Sequence, residues 1–195
     1  LKYAKEGYTI LLIGHKGHDE VIGTMGEAPD HTILIEDIDS ALSIDVPSPE
    51  RVVALTQTTL SVGDTLEIVE ILQRRFPSLI TRNDICYATS NRQDAVKAIT
   101  QKVDVVMVIG ADNSSNCNRL REVAESQGVP AYLINEPGDI MDEWLRGVNF
   151  VGITSGASTP ERLVWDVVNK LNPTNVTTVE LVEENVSFSL PKSLR

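Results

Sequence analysis

Three observations predict an α/β fold for this 195-residue chain, built as two similar three-layer α/β lobes with mostly parallel sheets and followed by an extended C-terminal tail. Apolar runs of strand length alternate with amphipathic segments of helix length, the pattern of a parallel sheet covered on both faces. The chain also repeats itself. LTQTTLSVGDTLEIVEILQRRFP from Leu55 aligns with ITSGASTPERLVWDVVNKLNP from Ile153, with Thr56 facing Thr154 and a proline, Pro77 or Pro173, ending each copy. The upstream parts pair as well: HTILIEDIDSAL from His31 with PAYLINEPGDIM from Pro130, and IGHKGHDE around Gly14 with IGADNSSN around Gly110.

Taken in order, LKYAKEGY reads as the last turns of a helix ending at the C-cap candidate Gly7. With no initiating Met, it suggests a chain cut from something longer. Strands are expected at 9–13, 32–35 and 52–56. Helices are expected shortly after His18, at 38–44 and at 62–76, the last with Ser61 as N-cap and Asp64 at the capping-box position. Asn83 and Asp84 mark the predicted boundary, giving domains 1–83 and 84–172. The second lobe opens with a helix at 91–101, for which Ser90 and Gln93 spell a capping box. Strands follow at 103–109, 131–134 and 150–154. Its other helices fall at 116–127, stopped by Gly128, at 140–145, and at 160–171, where Pro160 suits a first turn. Residues 173–195 read as an extended tail with two strand-like pieces.

A net charge of −11 disfavours nucleic acid or an acidic membrane surface as partner, since no Lys/Arg cluster offsets the repulsion. No apolar run approaches the roughly 20 residues of a membrane span. The two cysteines, Cys86 and Cys117, read as reduced thiols of a cytoplasmic protein rather than a disulfide framework.

In open α/β sheets ligands settle at the carboxyl ends of the strands, beside helix N-termini that favour anions. The loops there hold His15, His18 and Glu20; Gln57, Thr58 and Thr59; Asn113, Ser114, Ser115 and Asn116; and Ser155, Gly156, Ala157 and Ser158. Helix capping accounts for single members such as Ser61, Ser115 or Thr159, one hydroxyl per helix, but not for the whole of NSSN or for Thr58 and Thr59 before a cap. His18 and Glu20 sit among Gly14, Gly17, Gly23 and Gly26, and together make a candidate proton or anion contact. Cys86, just upstream of a helix, suits a thiolate ligand or nucleophile, or a small buried residue. Cys117 reads as buried, without zinc-site spacing to Cys86. Neither Walker A, GxGxxG nor GxSxG occurs.

The strings GHDEVIGTMGEAP, TQTTLSVGDT, NDICYATSNRQ, NSSNCNRLRE and GITSGASTPE closely resemble the 4-hydroxy-3-methylbut-2-enyl diphosphate reductase family of the non-mevalonate isoprenoid pathway, over residues 7–194. The resemblance implies an iron-sulfur oxidoreductase built as a trefoil of three α/β domains, two of which would be this chain. It implies that Cys86 is one of three cysteine ligands of a 4Fe-4S cluster. Glu20 would be the proton source and Thr58 the relaying and substrate-contacting hydroxyl, with His18, Ser114, Ser115, Asn116 and Ser158 holding the diphosphate. The family's first domain, with its other two ligand cysteines, is absent, and Cys117 lies within the diphosphate loop and cannot replace them. The implied substrate is an allylic diphosphate, and the implied partners are ferredoxin or flavodoxin as electron donor and the missing N-terminal domain. The chain alone is expected to be inactive. Two rival readings are a non-enzymatic two-lobed protein that clasps a small phosphorylated ligand, and a phosphate-ester hydrolase using Glu20 and His18, which lacks a carboxylate cluster for a metal.

Overall fold

The computed structural model describes residues 1–82, 85–179 and 181. The expected boundary pair Asn83 and Asp84, and most of the strand-like tail, lie outside the described residues, and 173–179 carry neither helix nor strand. Along the first lobe run α1 (Lys2–Lys5), β1 (Thr9–Ile13), α2 (Asp19–Glu27), β2 (Thr32–Ile35), α3 (Ile38–Ser43), β3 (Val52–Thr56), α4 (Val62–Arg75) and β4 (Ile80–Thr81). The second lobe has α5 (Tyr87–Thr100), β5 (Val105–Ile109), α6 (Ser115–Ser126), β6 (Ala131–Ile134), β7 (Val151–Ser155) and α7 (Glu161–Leu171). Strand order is β2-β1-β3-β4 in one sheet and β6-β5-β7 in the other, and every pairing is parallel.

The central strands are apolar throughout because both faces are buried. From β1, Leu11 and Ile13 enter a core with Ile35, Ala54, Leu72 and Phe76, while Ile10 faces the other side with Val53 and Ala28. In the second sheet Val106 and Val108 pack under α6 on Leu120 and Ala124, and Met107 and Ile109 face Ile134 and Val167 of α7. Gly7, at φ +77°, turns the chain from α1 into β1, and Gly128, at φ +80°, ends α6.

Several elements differ from expectation for identifiable reasons. The helix expected at 91–101 begins at Tyr87, with Cys86 at its N-cap position. Ser90 lies inside it and donates its hydroxyl to Tyr87 O, while Gln93 bonds across to the first lobe, so no capping box forms there. The helix expected at 140–145 is replaced by two 3-10 turns, Pro137–Asp139 and Asp142–Leu145. The Asp139 carboxylate accepts from Asn135 N and Glu136 N, and Trp144 stacks on Tyr132 with ring centroids 4.0 Å apart, both of which hold the segment in tight turns. The short β4 carries too little pattern to be visible in sequence. The ladder also pairs Ile13 with Thr56 and Ile109 with Ser155, so the counterpart of Thr56 is Ser155 and not Thr154. Matching threonine to threonine slipped the repeat by one residue.

Candidate functional site

The polar loops sit at the carboxyl ends of β1, β3, β5 and β7. His18 is the N-cap of α2, and its Nδ1 accepts the Glu20 N–H at 3.2 Å. A neutral ring therefore carries its proton on Nε2, leaving that nitrogen as a donor. In the first turn of the same helix, Glu20 reaches the loop after β3. Its Oε1 and Oε2 accept the Thr58 N–H at 3.1 and 3.2 Å, and Oε2 also accepts the Thr58 hydroxyl at 3.1 Å. Both residues are half-buried.

Next to them Gln57 is 1% exposed. Its Oε1 accepts from His15 N at 3.1 Å and its Nε2 donates to Thr59 Oγ1 at 3.0 Å, tying the β1 loop to the β3 loop. Gly14 makes room for this: a Cβ there would lie 2.6 Å from Val21 Cγ2 and 3.2 Å from Gln57 Oε1.

The second lobe joins at Thr58. The exposed Cys86 donates its backbone N–H to Thr58 O at 3.2 Å. Glu20, Thr58 and Cys86 thus meet through one residue's N–H, hydroxyl and carbonyl. At the start of α6, Ser114 is the N-cap, its Oγ accepting from Cys117 N at 3.3 Å, with Ser115 and Asn116 in the first turn. Ser115, Arg119 and Glu122 of this helix line a cleft with His15, Gln57 and Thr59 of the first lobe. Arg119 bonds Glu122 at 2.9 Å and reaches Asp64 of α4 at 3.6 Å.

Asn116 is 8% exposed, and neither its Oδ1 nor its Nδ2 has a hydrogen-bond partner. Its amide nitrogen lies 3.8 Å from where a Cβ on Gly156 would stand, against the loop that carries the exposed Ser158. Cys117 is 1% exposed, with its sulfur 2.3 and 2.5 Å from the Cβ positions of Gly110 and Gly156, so it fills the space those glycines leave. Among the described residues no group of three or more His, Cys, Asp or Glu side chains is placed to hold a metal ion.

The structure therefore brings His18, Glu20, Thr58 and the Cys86 backbone together, opens Ser115 onto an inter-lobe cleft shared with the adjoining Gln57 and Thr59, and sets Asn116 against the Ser158 loop. Two inter-lobe contacts escape sequence reasoning, which gives Gln93 and Asp64 only local capping positions, whereas their side chains reach Leu60 and Arg119 of the opposite lobe.

The LytB protein family matches residues 1–172. The 4-hydroxy-3-methylbut-2-enyl diphosphate reductase of Ralstonia nicotianae is 48% identical over 199 residues, covering 100% of this chain and 61% of that protein. The enzyme of the same name from Streptomyces avermitilis is 49% identical over 201 residues, covering 100% of this chain and 60% of its own length. Among solved structures, the E-1-hydroxy-2-methyl-but-2-enyl-4-diphosphate reductase from Plasmodium falciparum superposes with a TM-score of 0.91 at 38% identity, over 99% of this chain and 63% of that one. The chain spans about 60% of the length of the curated relatives it matches.

Proposed function

The chain belongs to the LytB protein family, and from that premise we propose that it is the diphosphate-binding and proton-supplying part of a 4-hydroxy-3-methylbut-2-enyl diphosphate reductase. The observation that carries this reading is the convergence on Thr58, whose N–H and hydroxyl are gripped by Glu20 while its carbonyl receives the Cys86 amide.

In the complete enzyme the diphosphate is held by His18 Nε2–H, by the Ser114, Ser115 and Asn116 turn at the N-terminus of α6, and by Ser158. A helix N-terminus offers free N–H groups and a favourable dipole to phosphate oxygens. The unpartnered Asn116 amide supports this placement. A buried amide left unbonded costs stability, and a phosphate oxygen accepting from Nδ2 removes the donor's share of that cost.

Glu20 delivers the proton that turns the departing hydroxyl into water. When its carboxyl is protonated, the O–H on Oε2 donates to Thr58 Oγ1, and the threonine hydroxyl is then free to donate to the departing hydroxyl of the substrate. The Thr58 N–H stays on Oε1 through the exchange, so the carboxyl keeps its orientation while its protonation state changes.

Cys86 would be one ligand of a 4Fe-4S cluster, which when bound supplies the two electrons for a reductive dehydroxylation that takes up two protons, one at the departing hydroxyl and one at the allylic carbon, and yields isopentenyl or dimethylallyl diphosphate and water. The exposed thiol at a helix N-terminus, with no side-chain cap bond, suits a thiolate ligand. The set is incomplete among the described residues, because Cys117 is packed between two glycine backbones. In a complete reductase the remaining ligands would come from the part of the longer relatives that these 195 residues do not span, and the 195 residues by themselves would neither hold the cluster in its normal form nor turn over. Ferredoxin or flavodoxin is the electron donor. No described helix is long and apolar enough to cross a membrane, and the two free thiols suit the cytoplasm.

The test is Glu20→Gln in the complete enzyme. Substrate affinity stays nearly unchanged while kcat falls by about 100-fold or more, the range lost with a general acid. A weakened affinity with near-normal kcat would reduce Glu20 to a charge that complements the α2 dipole.

A further inference from the structure

We infer that Gln93 is a positioning residue that caps α4 from the opposite lobe and thereby fixes Cys86 against the Glu20–Thr58 pair. Gln93 sits on α5 in the second lobe and is 1% exposed. Its Nε2 donates to Leu60 O at 2.9 Å, and its Oε1 accepts from Val62 N at 3.4 Å. Both partners flank Ser61, the N-cap of α4.

These two backbone groups need an outside partner. Val62 is the first residue of α4, so its N–H has no acceptor within the helix, and the Leu60 carbonyl precedes the helix altogether. The Ser61 hydroxyl serves Asp64 N and leaves both unserved. One side-chain amide, with a donor and an acceptor on the same planar group, satisfies the pair. An ionised aspartate, an acceptor only, would serve just the Val62 N–H.

The consequence lies two turns back along α5, where its N-cap Cys86 donates to Thr58 O. The helix is pinned to the segment from Thr58 to Val62 at two points: the Cys86 amide grips one end and the Gln93 amide the other. A rigid helix held at two points on one loop cannot slide or rotate on it without breaking both contacts. Because α5 also packs on α6, the same bracket carries the Ser115 and Asn116 turn. The relevance of this placement to catalysis rests on the reading of Cys86 as a cluster ligand, whereas the placement itself is independent of it.

Hydrogen exchange of backbone amides in the 195-residue chain tests the bracket without substrate, cluster or turnover, so its failure is separable from that of the reductase assignment. Gln93→Met keeps the bulk and removes both bonds. Exchange at the Cys86 amide should rise about tenfold, while Leu12 in β1 and Met107 in β5 stay as in the parent chain. Gln93→Glu gives a chemical control. Near neutral pH its carboxylate repels the Leu60 carbonyl and Cys86 exchanges fast. Below the pKa of the new carboxyl, the acid O–H donates to Leu60 O and its carbonyl accepts from Val62 N, as the amide does, and protection returns. His15, Glu36, Asp64 and Arg119 line the neighbouring surface, so each variant is compared with the parent chain at the same pH. Unchanged exchange at Cys86 in Gln93→Met, a rise shared equally by Leu12 and Met107, or no acid recovery in Gln93→Glu would each overturn the inference. If Gln93→Met does not fold, the acid recovery of Gln93→Glu decides alone.

Discussion

Asn116 shows most directly how a single side chain divides its effect between folding and binding. Its amide is buried with both polar atoms unbonded, which the folded chain tolerates at a cost. Asn116→Leu, similar in volume and apolar, should therefore leave the melting temperature unchanged or raise it. At the same time it should weaken binding of inorganic pyrophosphate by about 1–3 kcal/mol, the worth of a bond to a charged acceptor, as isothermal titration would read. A lower melting temperature with unchanged affinity would make Asn116 an ordinary core residue. The polar loop residues were legible in sequence because His18, Glu20 and Thr58 stand in glycine-flanked or hydroxyl-rich turns directly after apolar strands. Gln57 and Gln93 were not legible in their roles. Their partners, His15 and Leu60, lie 42 and 33 residues away along the chain, and no local pattern encodes such a bond.

At the level of the elements, strand ends are fixed by side chains that the hydrophobic pattern does not include. The expected strands at 103–109 and 150–154 begin later, at Val105 and Val151, because Asp104 turns its carboxylate onto the next strand's approach. Its Oδ2 accepts from Phe150 N at 2.9 Å and Asn149 N at 2.8 Å, and these bonds, that from Phe150 first, hold its carboxyl below the usual carboxylate range. A carboxyl whose folded pKa is depressed contributes stability that is present above its unfolded pKa and is lost as pH falls through the folded value. Asp104→Asn should thus melt earlier than the parent chain at neutral pH, with the gap closing once the pH drops below about 4. A gap that persisted in acid would assign the loss to packing at the β7 entrance. Helix ends were read more closely when the cap was local, as with Ser61, than when the anchor came from elsewhere, as with Cys86.

On the scale of the whole molecule, the duplication announced two lobes, and two parallel sheets of related order are what the chain forms. What the duplication could not announce is how the copies meet, since that depends on Gln93, Arg119 and the Cys86 amide, none of which has an equivalent in the repeat. The half-buried Arg119 joins an Asp64 that is largely exposed, so this pair adds little strength, and the buried amide contacts dominate the junction. Anaerobic reconstitution of the 195-residue chain with iron and sulfide should give no stable 4Fe-4S absorption, because a single accessible thiol cannot satisfy four irons; a persistent spectrum would refute the incomplete-ligand reading. Finally, the plugging of Cys117 between Gly110 and Gly156 gives the molecule a built-in handle for spectroscopy. A maleimide dye added to the native chain should attach at Cys86 alone, beside Thr58, so its fluorescence reports on the surroundings of the Glu20–Thr58 pair without any engineered cysteine or any removed one.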